Sequence, residues 1–310
     1  MRTTLAVAVA GLIVGCASHA LAQLPAPARP VPTSAWAPKP EKIPGYVPPQ
    51  QPWVKLADVK AAHRDNANWQ QLLVDDGRLT AEYVSAAPGT KVSPRFHPDT
   101  REWFAVVEGE VRVEIEGQAP IVATRGSLIN IPRQTIYSLA TVGASPSLRF
   151  VVNVARAKTL FTQDSPPPTV NGTAWLPITI NRNPGRYDEF NQPHLNIHEA
   201  AGKNEKYAGG RFVRDDKSEM LVLYGREKNL PPLDPADKGH FHAESAEFWL
   251  VFAGKIRYAF EGQQPFVASE GDVVYVPANT WHATRYSGPD PSCRLSITEY
   301  VGNALLFERK

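Results

Sequence analysis

An internal repeat with a fixed offset of 145 residues constrains the fold of this chain more than any other feature. Residues 103–140 and 248–285 align without a gap and share 12 identities over 38 positions. Duplication of one module explains this match better than chance, so we infer two homologous domains. A chain of 310 residues with 43% hydrophobic content is long enough for two domains of about 100 to 150 residues each. The offset pairs Glu102 with Glu247, Gly109 with Gly254, Gly126 with Gly271 and Pro132 with Pro277.

Short apolar segments dominate each repeat and are separated by Gly, Pro, Asn or charged turns, which is typical of β-strands. Residues 111–116 (VRVEIE) alternate between apolar and polar side chains, and residues 256–261 (IRYAFE) occupy the same place in the second copy. Beyond residue 22, a helical period is visible only in residues 56–62 and 67–73. The pattern therefore predicts an all-β protein built from two barrels or jelly rolls.

Four residues of the second repeat have the spacing of a metal site: His240, His242, Glu247 and His282. Alternate side chains of a strand share a face, so the first two imidazoles point the same way. Residues 243–246 suit a turn, after which Glu247 begins an apolar strand and returns a carboxylate beside the imidazoles. This donor set leaves one or two positions open on an octahedral metal, as a catalytic site requires. Burial of these groups without a cation would be costly.

The first repeat has lost two of the three imidazoles. At the same offset, its residues are Arg95, His97, Glu102 and Tyr137. Arginine does not ligate cations, and a guanidinium can instead neutralise the carboxylate. We therefore expect one metal ion per chain, held by the second domain, and a degenerate site in the first. An anion or substrate pocket is the functional alternative for the first site.

Two segments of the second repeat resemble the conserved motifs of the cupin superfamily. They are residues 239–254 (GHFHAESAEFWLVFAG) and residues 271–282 (GDVVYVPANTWH). The whole chain from about residue 53 resembles a bicupin, which implies two tandem double-stranded β-helix (jelly-roll) barrels. Asn279 stands where the second motif usually has Gly, and Tyr286 where it often has Asn. Neither position is a ligand position, so these departures concern the shape of the loop.

The repeat and the resemblance together divide the chain into five parts. We expect a signal peptide over residues 1–22, a Pro-rich arm over residues 23–52, the first cupin domain over residues 53–160, a linker over residues 161–195, and the metal-binding cupin domain over residues 196–310. The arm contains ten prolines in 30 residues and cannot form a core. It is either a spacer or a segment that wraps the other domain or a neighbouring subunit of a homo-oligomer.

The resemblance implies several reaction classes for the predicted metal site. The leading hypothesis is an oxidoreductase of the dioxygenase type that acts on a small oxygen-rich or aromatic substrate, with Glu247 as ligand and proton acceptor. The first alternative is a manganese enzyme similar to oxalate decarboxylase or oxidase, which a cationic anchor for a dicarboxylate would favour. Arg257 and Arg285 alternate with the inward positions and offer no such anchor. The second alternative is a non-catalytic metal- or ligand-binding bicupin.

Three further side chains are candidates for the substrate cavity. Trp249 shares a strand face with Glu247, and Thr284 and Tyr286 share one with His282. The cofactor is predicted to be one divalent transition metal, and imidazole with carboxylate suits Mn, Fe, Cu, Ni or Zn; the order of affinities favours Cu, and export favours Cu and Mn over ferrous iron. A small-molecule substrate is therefore the expected partner.

The second domain contains an insertion between its first strands and the metal motif. From Glu82 to His97 is 15 residues, and from Glu219 to His242 is 23. If Glu82 and Glu219 correspond, eight residues are inserted around residues 226–238. The insertion is either a surface loop or a lid over the mouth of the metal barrel.

The N-terminus has the pattern of an export signal. Basic Arg2 precedes an apolar run over residues 5–14, which is shorter than the roughly 20 residues of a membrane span. Residues 20–22 (ALA) before Gln23 fit a cleavage site. We expect a periplasmic or secreted protein without a transmembrane segment in its mature form. Residues 13–16 (IVGC) also resemble a lipobox, so the alternative is a lipoprotein anchored through Cys16.

Charge excludes one class of partner. The net charge is +2, from 33 basic and 31 acidic residues, and the longest basic runs are isolated pairs without interleaved aromatic residues. We therefore do not expect nucleic acid binding. Only Cys293 and Cys16 are present, and neither processing route leaves an intramolecular disulfide.

Overall fold

The computed structural model describes residues 33–164, 167–299 and 304–309, and β-strands predominate within these ranges. The predicted all-β class is confirmed. The first half of the chain forms β1 (Trp53–Val54), α1 (Leu56–Ala62), β2 (Trp69–Asp75), β3 (Leu79–Ala86), β4 (Lys91–Phe96), β5 (Glu102–Glu108), β6 (Glu110–Ile115), β7 (Ile121–Thr124), β8 (Ser127–Ile131), β9 (Tyr137–Val142), β10 (Ser147–Val154) and β11 (Leu160–Phe161).

The second half follows a similar order, with an isolated bridge between Phe241 and Leu306 where the first half has the β4–β11 pair. It forms β12 (His194–Asn196), α2 (Ile197–Lys203), β13 (Gly209–Arg214), β14 (Glu219–Gly225), a 3-10 turn (Glu227–Asn229), β15 (Glu247–Ala253), β16 (Lys255–Phe260), β17 (Phe266–Ser269), β18 (Val273–Val276), β19 (His282–Ser287) and β20 (Ser292–Thr298). The predicted signal peptide lies outside the described residues. Among the described helices, none has the length and apolar character needed to cross a membrane.

Each repeat forms a barrel from two antiparallel sheets. In the first barrel, a six-stranded sheet (β12-β8-β5-β10-β3-β2) faces a five-stranded one (β11-β4-β9-β6-β7). In the second barrel, a six-stranded sheet (β1-β18-β15-β20-β14-β13) faces a three-stranded one (β17-β16-β19). Side chains from both sheets fill each barrel, with Phe104 and Val113 in the first core and Trp249 and Tyr258 in the second.

A third core lies between the barrels and is shared by the two six-stranded sheets. Strand β10 contributes Phe150 and Val152 to it, and β15 contributes Phe248 and Leu250. Intervening residues on these strands, such as Trp249, point into a barrel instead. After Glu247, β15 is apolar on both faces because both faces are buried, whereas β10 carries Arg149 and Asn153 on its barrel face.

The two halves exchange their first strands. Strand β1 precedes the first repeat but pairs with β18 of the second barrel, with Trp53 opposite Val274. Strand β12 begins inside the predicted linker and pairs with β8 of the first barrel, with Leu195 opposite Leu128. The side chain of Asp272 fixes the first exchange by accepting hydrogen bonds from the indole of Trp53 at 2.9 Å and the backbone of Leu56 at 3.0 Å.

The described part of the Pro-rich arm contacts the second barrel. The ammonium group of Lys39 forms an ion pair with Glu261 at 2.8 Å. The hydroxyl of Tyr46 accepts a hydrogen bond from Gln263 at 3.0 Å, and its ring meets Tyr275 edge to face. This part of the arm therefore lies on the other domain and is not a free spacer.

Two expectations from the sequence are wrong. Residues 67–73 have a helical period but form most of strand β2, because pairing with β3 overrides a weak local preference. The assumed correspondence between Glu82 and Glu219 is also wrong. Glu219 lies opposite Thr298, whose partner in the first repeat is Asn153. Glu82 instead lies opposite Val151, two positions earlier in the same strand. Glu82 is therefore equivalent to Leu221, which lies 139 residues further on. Compared with the offset of 145, the insertion is six residues long instead of eight.

Because the shared core joins the barrels, we expect Phe150→Ala to destabilise both together. Phe150 is fully buried between the six-stranded sheets, and removal of such a ring costs about 3–5 kcal/mol of unfolding free energy. Chemical denaturation should show one transition at lower denaturant concentration. The control Val122→Ala, at a side chain that is 51% exposed, should leave the midpoint nearly unchanged. Two separate transitions, only one of them shifted, would contradict a shared core.

Candidate metal centre

The two histidines of the His-x-His motif lie on a short extended segment beside β19. The backbones of His240 and His282 exchange hydrogen bonds of 3.1 and 2.9 Å. Between the two motif histidines, Phe241 points to the other side, where it is buried against the ring of Trp281. The backbone alternation predicted from the sequence is therefore present, and it directs both imidazoles to one side.

The four predicted ligands meet around one carboxylate oxygen. The Oε2 atom of Glu247 lies 2.9 Å from the Nε2 atom of His242, 3.2 Å from that of His282 and 4.0 Å from that of His240. All four candidate ligand atoms lie within 4.8 Å of one another. Within the described ranges, no other group of three or more such side chains converges in this way.

Hydrogen bonds outside the site fix the orientation of the rings. The Nδ1 atom of His242 faces the carbonyl oxygen of Ala304, and that of His282 faces the carbonyl oxygen of Thr280, both at 2.9 Å. A carbonyl only accepts, so each Nδ1 carries a proton, and each Nε2, which faces Glu247, is the nitrogen that would ligate a cation in place of that hydrogen bond. Such outer contacts position metal ligands in known sites. The donor set therefore fits a divalent transition metal.

The protonation states also suit a cation. Burial alone would raise the pKa of Glu247, but hydrogen bonds from His242 and His282 hold it well below its usual range. Burial and the neighbouring His282 ring lower the pKa of His240 to about 4. At neutral pH the carboxylate is ionised and the His240 ring is neutral, which is the state that metal ligation requires.

Asn279 shapes the loop that precedes the last ligand. Its φ is +61°, a left-handed conformation that asparagine tolerates better than most residues. Its backbone amide donates to the carbonyl of His242 at 2.7 Å, and its side chain donates to the carbonyl of Ala243 at 2.9 Å. Asparagine in place of the usual glycine therefore preserves the loop and ties it to the His-x-His segment.

The end of the chain covers the outer side of the site. Leu306 pairs with Phe241 through backbone hydrogen bonds of 3.0 and 3.1 Å. The ring of Phe307 lies 5.6 Å from that of His240, and Lys238 forms an ion pair with Glu308 at 2.9 Å. Nothing in the sequence motif indicated this contact, because the segment is distant along the chain and has no pattern of its own.

The three predicted cavity residues differ in their surroundings. Trp249 is only 1% exposed and packs its ring against His282 at 5.5 Å, so it belongs to the core beneath the site. Thr284 and Tyr286 are partly buried and share the inward face of β19 with His282. These two are better placed than Trp249 to meet a substrate.

Arg294 is a site residue that the sequence reasoning missed. In β20, Cys293 and Leu295 point into the shared core, so Arg294 and Ser296 point into the second barrel. Ser296 donates a hydrogen bond to Glu247, and the guanidinium of Arg294 lies over the ring of Tyr286, 5.4 Å from its centroid. The buried Nε atom of Arg294 has no hydrogen-bond partner among the described residues. Extending the repeat comparison into the last strand would have paired it with Arg149.

The equivalent site in the first barrel is saturated by its own hydrogen bonds. Glu102 accepts from His97 at 2.9 Å and from Tyr137 at 2.6 Å, and the guanidinium of Arg95 lies 3.6 Å away. Burial opposes ionisation, yet Arg95 and these hydrogen bonds lower the pKa of Glu102 to about 2. The charge of Glu102 is thus neutralised by its own neighbours, as expected from the guanidinium at position 95.

Comparison with known proteins assigns the fold. A family model described as a cupin domain matches residues 82–153 and again residues 228–298. The chain is a bicupin, with one cupin domain matched in each barrel. The predicted tandem jelly-roll barrels are thereby confirmed.

Solved structures similar to this bicupin have low sequence identity to it. A cupin 2 conserved barrel domain protein from Leptotrichia buccalis has a TM-score of 0.52 at 14% identity, covering 74% of this chain and 88% of its own. An oxalate decarboxylase studied for its substrate binding mode and reaction specificity has a TM-score of 0.51 at 16% identity, covering 86% and 81%. Oxalate decarboxylase from Bacillus subtilis at pH 4.6 has a TM-score of 0.50 at 17% identity, covering 86% and 80%. No curated protein sequence matches.

We expect one equivalent of metal per chain in this bicupin. His240→Ala and His282→Ala should each remove nearly all of it, because two imidazoles and one carboxylate hold a cation less well than the full set. His97→Ala is the matched control at the degenerate site and should change the metal content little. Elemental analysis of the purified variants measures this. Two equivalents per chain, one of them lost with His97, would show that the first barrel also binds metal.

Proposed function

We propose that this bicupin is a metal-dependent enzyme that acts on a small carboxylate-bearing substrate in the second domain. One observation carries the proposal: Arg294 points into the same barrel as the site of three histidines and one glutamate. Arg294 lies outside the metal motifs, where the only arginines near the predicted inward positions are Arg257 and Arg285. Arg257 and Arg285 pair with each other in the β16–β19 ladder, between the inward positions of those strands.

The charges of the site favour an anion. A divalent cation together with Arg294 brings more positive charge than the carboxylate of Glu247 removes, and this balance attracts a negatively charged ligand. A guanidinium also matches a carboxylate in shape and can bind it through two parallel hydrogen bonds. The unpartnered Nε atom of Arg294 supplies a donor for such a contact.

The bound metal would supply Lewis acidity and a coordination position for a substrate oxygen. The chain's own residues would orient the substrate and handle its proton. Arg294 would hold one carboxylate, and Glu247 would accept a proton at the oxygen that faces the histidines. The rings of Trp249 and Phe260 pack against His282, Tyr258 packs against both of them, and together they keep water away from the buried ligands.

Because the site favours an anionic substrate, decarboxylation of oxalate is the leading candidate reaction, ahead of a dioxygenase reaction. Hydrogen oxalate would give formate and carbon dioxide, with cleavage of the C–C bond, transfer of the proton to the formate carbon and no net oxidation. The two similar structures named above are oxalate decarboxylases. Oxygen-dependent attack on an aromatic acid is the second candidate, which the partly buried Tyr286 ring beside Arg294 favours.

The experiment uses the full-length chain loaded separately with manganese, iron, copper, nickel or zinc. Release of formate and carbon dioxide from oxalate, and oxygen uptake with oxalate, phenolic acids and flavonols, would distinguish the two reactions. Oxygen uptake without formate would favour the dioxygenase type. Metal-loaded protein that turns over none of these substrates would favour a non-catalytic binding bicupin.

With an active substrate in hand, we expect Arg294→Met to raise KM about 10-fold to 100-fold, the range expected for loss of a charged hydrogen bond. Metal content should stay unchanged, and Arg257→Met is the matched control. We expect Glu247→Gln to lower turnover per bound metal by roughly 100-fold to 10,000-fold, since positioned proton transfer has this typical value. Equal turnover per bound metal would mean that Glu247 is a ligand only.

We also propose that the chain is exported and that its mature form begins at Gln23, on the basis of residues 1–22. N-terminal sequencing and detergent partitioning of the exported protein should find a free, soluble terminus at this residue. A blocked protein in the detergent phase, released by Cys16→Ser, would instead establish lipid anchoring.

A further inference from the structure

The first barrel contains a polar cavity that the metal site does not explain. Its volume is about 320 Å³, and its walls are the inward faces of β3, β4 and β10 together with His97 and Glu102 of the degenerate site. We call it the first-barrel cavity. Its charged and polar lining includes Thr80, Glu82, Arg95, Arg149, Asn153 and Arg156.

Arg149 is the most informative of these residues. It is 5% exposed, and its Nε atom is buried without a hydrogen-bond partner among the described residues. Its guanidinium lies over the ring of Phe104, 5.6 Å from the centroid, and no described carboxylate forms an ion pair with it. Burial and the charge of Arg95 lower the pKa of Arg149 to about 10, so it remains charged at neutral pH. Glu102 and Glu82 act on Arg149 only through their charges and make no direct contact with it. A buried guanidinium without a direct hydrogen bond is unfavourable unless a ligand supplies one.

A second unpartnered donor lines the same cavity. The Oδ1 atom of Asn153 accepts a hydrogen bond from the backbone of Val154 at 2.7 Å, which fixes the orientation of the amide. Its Nδ2 atom is buried and has no partner within the described chain. Arg149 and Asn153 are four residues apart on one strand, so they share its inward face. Both unpartnered groups are hydrogen-bond donors, so a ligand with hydrogen-bond acceptors would satisfy them.

The neighbouring acids do not supply those acceptors. Glu102 is already occupied by His97, Tyr137 and Arg95. Burial and the charge of Glu102 raise the pKa of Glu82, and the charges of Arg149 and Arg95 oppose this rise in part without a direct ion pair. Arg156 is exposed and adds a positive charge to the lining. The cavity therefore has an excess of positive charge and of donors.

We propose that the first-barrel cavity binds a small organic carboxylate. The carboxylate would accept hydrogen bonds from the Arg149 guanidinium and the Asn153 amide. The carbon skeleton would lie against Val84, Val92 and Val151, which line the same cavity. Its volume of about 320 Å³ is at the lower end of the range typical of small-molecule sites, roughly 300–1,000 Å³. An organic acid uses this space and these apolar walls, whereas a bare inorganic anion does not.

The repeat gives this site an internal parallel. Arg149 occupies the position of Arg294 in the second barrel. Val151 stands where the second barrel has Ser296, the residue that donates to the metal-site carboxylate. The inward arginine is thus present in both barrels, and only one of them combines it with metal ligands. The first barrel binds its carboxylate without a metal, independently of the function proposed for the second.

The test uses full-length protein treated with a chelator and carrying Arg294→Met, so that the second barrel cannot contribute. Malate, acetate and sulfate are the probes, and calorimetric titration and thermal unfolding are the readouts. We expect one equivalent of malate to bind and to raise the unfolding temperature, since a ligand that binds only the folded state stabilises it. A further Arg149→Met should weaken binding about 10-fold to 100-fold. The matched control Arg112→Met, at an exposed arginine on the outside of the barrel, should leave affinity unchanged.

Glu82→Gln tests the same site without removing the arginine. Loss of a nearby negative charge should tighten malate binding several-fold, and this result stands even if Arg149→Met does not fold. Malate binding that is unaffected by Arg149→Met would overturn the proposal. So would binding that Glu82→Gln leaves unchanged or weakens, a response to sulfate alone, or no binding of malate at millimolar concentration.

Discussion

The contact between the two six-stranded sheets is the constraint on which both barrels depend. It buries one face of every central strand, with Phe150 and Phe248 among the rings at the contact. Because side chains alternate along a strand, the opposite face of the same strands must form the barrel interior. Glu247, Arg294 and Arg149 occupy such interior positions. The apolar contact between the barrels therefore fixes the register in which every polar site residue points inward.

One architecture thus supports two chemically different interiors. In the second barrel, Glu247 faces three imidazoles, and backbone carbonyls orient two of them, His242 and His282, so that their Nε2 atoms face the site. In the first barrel, Arg95 and Tyr137 take the places of two imidazoles and saturate the carboxylate. The strand exchange keeps the barrels together while their interiors differ, because β1 and β12 each complete the other barrel's sheet.

Much of the candidate metal site could be predicted because its ligands are close in sequence or lie at a repeated offset. His240 and His242 share a face by alternation alone, and Glu247 follows after one turn. The role of Arg294 could not be predicted in this way, because it lies outside the motif and its inward direction depends on the register of β20. The contacts of the Ala304 carbonyl with His242 and of the Phe307 ring with His240 could not be predicted either, because only folding brings residues 304–309 close to these histidines.

The sequence by itself determined the duplication, the all-β class, the two barrels and the composition of the metal site, because these depend on local periodicity and on repeated spacing. Tertiary structure decided which barrel completes which sheet, that residues 67–73 form a strand, and where the arginines point. These properties depend on pairing between segments far apart in the chain, and such pairing is set by burial and register over the whole molecule. The unpartnered donors of Arg149 and Asn153 belong to this second group, because a missing partner is visible only after the entire interior has been assembled.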